Sequence, residues 1–309
     1  MKSPSPTTLP HAFRDAIEKR FPGARFDEPL SKHTTFKIGG PADVYVEPRT
    51  TAELTDAVRL ADDHGVAITI IGGGSNLLIL DSGVRGMILR LKGEFEEIAA
   101  RPGSLLDSGA GVKLPKLIAW AGERGLGGSE SLVGVPGTLG GSLIMNAGTR
   151  EGEIGDLVRE VRVLDRGALR VDVLSPRDLR FSYRASNLDG RLVVGALIEL
   201  KAGKRDDIIN RIREFQQSRL ATQPVHTHNV GSTFKNPPGK FVGRLIEQAG
   251  LKGLRIGGAR VSPVHANFVE NLGRAKASDV LGIVESVRGK IRSEFGVELE
   301  LEMRILGEP

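Results

Sequence analysis

Apolar side chains recur at helical spacing over residues 9–21, at Leu9, Phe13, Ile17 and Phe21, and predict a first amphipathic helix. Thr50 and Glu53 make a capping-box pattern ahead of Leu54, Ala57, Val58 and Ala61, and Gly65 ends that second helix. The period then shortens. Val66 to Ile71 is a β-rich run that enters G-G-G-S-N at 72–76, and Leu77, Leu78, Ile79 and Leu80 follow, giving strand, glycine loop, strand. A helix is expected over 114–125, with Pro115 near its start, Leu117, Ile118 and Ala121 on one face, and Gly125 after it. Strands are expected at 158–165 and 168–174, joined at Asp165-Arg166-Gly167, and from Leu192 to Leu200.

From Arg205 the pattern turns helical. Ile208, Ile209, Ile212 and Phe215 mark a charged helix ending near Leu220. Phe241, Val242, Leu245, Ile246 and Ala249 mark another, stopped by Gly250, and a long one follows Ser278 with Val280, Val284, Val287, Ile291 and Phe295. The chain ends on an expected strand whose one face carries Val297, Leu299, Leu301, Met303 and Ile305, and the other Glu298, Glu300, Glu302 and Arg304. The fold class is α+β, with no internal repeat.

At 309 residues the chain exceeds what one core usually serves, so two or three subdomains are expected. No apolar run approaches the roughly 18 residues a membrane span requires. The start, M-K-S-P-S-P-T-T-L-P, lacks a secretion signal's apolar centre, and a cytoplasmic protein is expected. Zero cysteines excludes disulfides, thiolate metal sites and a cysteine nucleophile. A net charge of +5 suits an anionic small ligand. Nucleic acid is disfavoured, because Lys and Arg are scattered and aromatics make up 5% of the chain.

Two glycine-rich stretches carry candidate chemistry. Ser131 to Gly148 gathers Gly134, Gly137, Gly140, Gly141 and Gly148 around apolar residues, without one charged side chain. It reads either as a buried, irregular segment whose amides line a flat ligand, or as tight turns between short strands. The loop at 72–76 fits neither G-x-x-x-x-G-K-[ST] nor a G-x-G-x-x-G that opens a helix. Its successive amides can form an anion-holding nest, and a plain turn between strands is the competing reading.

Six strings, in order, resemble those of the UDP-N-acetylenolpyruvoylglucosamine reductase family, the flavoproteins of bacterial peptidoglycan synthesis. They are T-T-F-K-I-G-G-P-A (34–42), G-G-G-S-N-L-L (72–78), G-V-P-G-T-L-G-G (134–141) with M-N-A-G (145–148), F-S-Y-R-A-S (181–186), G-S-T-F-K-N-P (231–237) and L-E-L-E-M-R (299–304). The resemblance implies a two-lobed FAD-binding domain of the vanillyl-alcohol-oxidase type and a smaller α/β substrate domain. The divisions it implies are an N-terminal lead-in at 1–33, the FAD-binding domain at 34–203, the substrate domain at 204–295, and a strand at 296–309 returning to the FAD-binding domain.

The same resemblance implies non-covalent FAD, held by Gly72, Gly73, Gly74, Ser75, Asn76 and Leu77 and by Gly134, Pro136, Gly137, Gly140, Gly141, Asn146, Ala147 and Gly148. NADPH is the implied reductant and a UDP-sugar enolpyruvyl ether the implied substrate. Three residues take implied catalytic roles: Arg184 at the substrate carboxylate, Ser232 as proton donor to C2, and Glu302 as an aid to carbanion stabilisation or proton delivery. Register against L-E-x-E-x-R selects Glu302 over Glu300. Tyr183 and Asn236 are implied substrate contacts, with a turn-capping role open for Asn236 ahead of Pro237.

The sequence departs from the family pattern at Thr222, where longer relatives carry a phosphate-contacting Lys; Arg219 is the candidate replacement. Only 47 residues separate Arg184 from Ser232, as in the shorter subclass without the tyrosine-bearing loop. His226 and His228 read as exposed strand residues, and no metal is expected; the role of His265 is open. A monomer is expected. The alternative function is an FAD-dependent oxidase of the same fold acting on a sugar or hydroxy acid, and a non-catalytic nucleotide-binding module is a further class.

Overall fold

A computed structural model describes residues 9–308. Residues 1–8, with most of the stretch read against a secretion signal, lie outside the described residues, as does Pro309. The helices form where apolar spacing and caps place them. Helix α1 (His11–Arg20) buries Phe13 and Ile17. Helix α2 (Thr51–Asp63) is capped by Thr50, whose hydroxyl accepts from Glu53 N–H at 3.1 Å. The Glu53 carboxylate accepts from Arg49 N–H at 2.7 Å, one residue before the cap, so the expected box closes slightly wide. Then come α3 (Leu114–Gly122), α4 (Leu139–Ile144), α5 (Arg205–Thr222), α6 (Val242–Gln248) and α7 (Ala277–Phe295). Gly296 ends α7 in the left-handed region at φ +64°.

The chain forms two compact units, each assembled from separate segments. The first takes the residues up to Glu28, Ala42–Gly72 and Arg85–Phe215. Its larger sheet is antiparallel, in the order 170–174, 158–165, 192–199, 105–109, 98–101. Its other sheet runs 25–29, 41–46, 84–89, 68–70, with Ile68 paired parallel to Met87. Phe13, Leu54, Leu106, Leu117 and Val161 are fully buried in one core, each worth about 1.5–3 kcal/mol over exposure. The hairpin from 158 to 174 turns over Arg166–Leu169, because Asp165 pairs with Arg170. The second strand therefore starts two residues later than the pattern predicts.

The second unit takes Pro29–Pro41, Gly73–Val84 and the chain from Gln216 on. Its sheet runs 228–232, 268–271, 259–261, 255–256, all antiparallel. Val230, Phe234, Val261, Val280, Val284 and Ile291 form its core together with Phe36, Ile38, Leu78 and Leu80 from the early segments. Residues 77–79 pair in parallel with 304–306, Leu77 opposite Arg304.

The alternation at the chain's end predicts one strand over 297–305, but a strand forms only at Arg304–Leu306. Val297, Leu299 and Met303 are buried as expected, whereas Ile305 is exposed. The segment changes partners as it runs: Glu300 O accepts from Lys235 N–H, Glu302 N–H donates to Thr233 O, and Arg304 N–H donates to Asn76 O, each at 2.9 Å. No single neighbour offers a continuous ladder. Among the described residues, no helix is long and apolar enough to cross a membrane.

Candidate active site

In the first unit the apolar glycine segment lies along residues 110–114. Leu114 N–H donates to Gly137 O, and Leu139 and Gly140 N–H donate to the carbonyls of Val112 and Ala110. The segment is neither wholly irregular nor wholly buried, as the sequence reading had it. Leu139–Ile144 wind into α4, while Pro136 and Gly141 keep an exposed edge. The helix forms because Gly140 admits Ala110, whose Cβ would stand 3.0 Å from any Cβ added there. Gly72 abuts this segment: a Cβ on it would lie 2.3 Å from the Thr138 hydroxyl.

Arg184 sits beside the end of the 131–148 segment, in the tight turn of a short hairpin where Phe181–Ser182 pairs with Ala185–Ser186. Its backbone is left-handed, φ +55°, a cost a non-glycine residue bears when the surroundings over-determine it. One guanidinium nitrogen donates to Gly148 O at 2.9 Å, the other lies 3.5 Å from a Glu153 carboxylate oxygen, and Cζ stands 4.9 Å from the Tyr183 ring centre. Tyr183 itself is 45% exposed. Asn146, 1% exposed, spends its side chain inside the protein: its amide donates to Glu153 at 2.6 Å and to Ser182 O at 3.0 Å, and its carbonyl accepts from Gly155 N–H.

In the second unit Ser232 ends the 228–232 strand, following Gly231 at φ +77°. The next residue, Thr233, accepts from Glu302 N–H at 2.9 Å, so Ser232 and Glu302 stand on adjoining backbones. Asn76 joins them, its side-chain amide donating to Glu302 O at 2.9 Å. The T-T-F string acts as a tie. Thr35 donates from its N–H to Gly74 O at 3.1 Å and from its hydroxyl to Asn229 O at 2.7 Å.

The three glutamates near the chain's end separate by partner. Glu298 pairs with Arg292 at 3.0 Å and Glu300 with Lys235 at 2.5 Å, and their side chains are 75% and 73% exposed. Those are solvated ion pairs of small worth. Glu302 is half-buried.

The side-chain carbonyl of Asn236 accepts from Val242 N–H, at the first residue of α6, at 3.0 Å. Arg219 carries a buried Nε with no hydrogen-bond partner, and burial holds its guanidinium below the usual range. A buried guanidinium N–H without an acceptor is costly, so an anionic or carbonyl oxygen is a ligand this position would gain from. His226 lies in a turn rather than a strand, His228 within the strand, and both are exposed. No cluster of metal-ligating side chains occurs among the described residues.

Several contributors escaped the sequence reading. Glu153 was one; the G-E pair just past Gly148, at hairpin distance, is the signal that points to it. Asn267, 4% exposed, was another, and holds both backbone groups of Phe234. His265 accepts from Asn267 N–H at 3.2 Å and packs edge-on against Phe268. Burial pushes its imidazole below the ordinary value, helped by the charge of Lys252.

These residues fit a large anionic, partly flat cofactor. The amides of Gly72, Gly73 and Gly74 have no hydrogen-bond partner among the described residues, a donor set suited to phosphate. At Gly141 an added Cβ would meet only the Thr138 hydroxyl, at 3.7 Å, so the backbone there is open to close approach. No charged side chain stands in the 134–148 segment.

Fold and donor set thus define an FAD-binding flavoprotein: residues 42–172 match the FAD binding domain family. Residues 223–306 match the family described as UDP-N-acetylenolpyruvoylglucosamine reductase, C-terminal domain. The chain is 46% identical over 291 residues to UDP-N-acetylenolpyruvoylglucosamine reductase 2 of Symbiobacterium thermophilum, covering 93% of this chain and 94% of that one. It is 45% identical over 296 residues to the reductase of Rubrobacter xylanophilus, covering 95% and 98%. The crystal structure of the reductase from Thermus caldophilus superposes with a TM-score of 0.79 at 38% identity, covering 92% of this chain and 98% of that one. The chain belongs to the UDP-N-acetylenolpyruvoylglucosamine reductase family. The implied α+β fold with an FAD-binding domain is borne out, and the oxidase alternative gives way to the reductase.

Proposed function

We propose that this enzyme reduces UDP-N-acetylglucosamine enolpyruvate to UDP-N-acetylmuramate at the expense of NADPH, a step of peptidoglycan precursor synthesis, with Arg184, Ser232 and Glu302 as its catalytic residues. Bound FAD would supply two-electron hydride chemistry between NADPH and the enolpyruvyl group. The protein's part is to bind, orient and protonate. The amides of Gly72, Gly73 and Gly74 would hold the cofactor's phosphates, and the exposed backbone at Pro136 and Gly141 would take its flat part.

Hydride arrival at C3 leaves carbanion character on C2, delocalised towards the substrate carboxylate. The Arg184 fork, permanently charged, is the donor for that carboxylate, and a preformed donor there is worth about 3 kcal/mol. Ser232 gives its hydroxyl proton to C2; a weak acid suffices because the carbanion is a strong base. Glu302 assists that proton delivery. Arg219 is the proposed diphosphate partner, in place of the lysine that Thr222 does not supply. Tyr183 stays a candidate substrate contact through its exposed ring, and Asn236 acts chiefly through α6. A cytoplasmic monomer is the state proposed, where NADPH and nucleotide sugars are available.

The observation that carries this reading is the junction of Ser232, Glu302 and Asn76 through main-chain bonds at Thr233 and Glu302. The test is spectroscopic. Purified protein should be yellow, bleach anaerobically with NADPH, and regain colour on addition of the enolpyruvyl sugar nucleotide. Reduced flavin that reoxidises only with oxygen would overturn it.

A further inference from the structure

Glu153 stands at a junction that the mechanism above does not use. Its strand pairs with Gly148, Glu153 opposite Gly148. This places the Gly148 carbonyl and the Glu153 carboxylate on different nitrogens of the Arg184 guanidinium, at 2.9 and 3.5 Å. The carboxylate's second oxygen accepts from the buried Asn146 amide at 2.6 Å, and the same amide donates to Ser182 O at the base of the Arg184 turn. Arg184, Glu153, Asn146 and Ser182 thus close a ring within one unit. Gly148 has to be glycine for the ring to close, since a Cβ there would lie 2.6 Å from Glu153 Cγ.

An isolated surface ion pair would mean little. Here the Arg184 side chain is 16% exposed and that of Glu153 29%, and the carboxylate is itself anchored from behind. An anchored carboxylate does what a lone one cannot: it fixes the plane of a guanidinium whose backbone is already locked in a left-handed turn. We propose that Glu153 is a positioning residue for Arg184, setting the guanidinium plane that receives the substrate carboxylate. The inference rests on the role given to Arg184 above.

The test uses flavin-loaded enzyme and separates the two half-reactions by anaerobic stopped flow, for Glu153→Gln, Arg184→Ala and the double variant. Glu153→Gln should leave flavin reduction by NADPH within about twofold while slowing reoxidation by the enolpyruvyl substrate by about tenfold or more. In the Arg184→Ala background the same change should add less than about twofold, since the carboxylate then has nothing to aim. Multiplicative effects, an unchanged reoxidation rate, or equal losses in both halves would overturn the proposal. If Arg184→Ala reoxidises at the parent rate, the reading of Arg184 fails and this one with it. If Arg184→Ala is crippled and Glu153→Gln is not, only the role of Glu153 falls. Should Glu153→Gln not retain flavin, Glu153→Asp carries the same comparison: it keeps the charge but withdraws it by one methylene, and must still slow reoxidation alone.

Discussion

The side chain of Asn267 pairs with Phe234 as a neighbouring strand would, accepting from its N–H at 3.0 Å and donating to its carbonyl at 2.8 Å. Phe234 is two residues beyond Ser232, and its other neighbour, Thr233, donates to Asn267 O at 2.8 Å. The two residues that follow the hydroxyl are therefore both held by Asn267. Asn267→Asp removes the donor and sets a carboxylate in a buried place, which should cost about 2 kcal/mol or more of stability. Denaturant unfolding of the flavin-loaded protein checks this, and an unchanged midpoint would show that the clamp contributes nothing.

The glutamates of the last segment should respond in opposite ways. Glu300→Gln loses an exposed pair with Lys235 and should leave turnover within about twofold of the parent. Glu302→Gln should slow reoxidation by substrate by about a hundredfold while flavin reduction by NADPH persists. Steady-state turnover for the first and half-reaction rates for the second decide the register, and a reversed result would move the role to Glu300.

His265 gives the fold a sensitivity to acid. Its folded pKa lies below the ordinary 6.5, chiefly through burial, so the unfolded chain binds its proton more readily. Protons are then taken up on unfolding, and stability falls as pH drops through 6.5 towards the lower folded value. Lys252 opposes the charged imidazole and Glu247 favours it. His265→Gln should flatten the fall of melting temperature between pH 7.5 and 5.5 relative to the parent. Parallel melting curves for the two proteins would contradict this.

Most helices were legible because their caps and apolar spacing are local: Thr50, Pro115 and Gly250 do in the fold what their chemistry predicts. The end of the chain was legible in burial and not in strand content, because alternation reports which face is covered, and the partner of each backbone group is set by segments far away in sequence. The glycine loop at 72–76 showed the same limit. Its neighbours are both strands, yet 68–70 and 77–79 enter different sheets, and no local pattern encodes that. Of the candidate site, the strings marked Arg184, Ser232 and Glu302, whereas Glu153 and Asn267 act through distant side-chain bonds that leave no periodic trace.

Delivery of the proton to C2 by the Ser232 hydroxyl is tested most directly by Ser232→Ala, with its two half-reactions measured separately under anaerobic conditions. Flavin bleaching by NADPH should proceed at close to the parent rate, while recovery of the oxidised spectrum on adding the enolpyruvyl sugar nucleotide should slow by about 10²–10⁴-fold. Recovery at the parent rate, or equal slowing of both phases, would contradict the assignment.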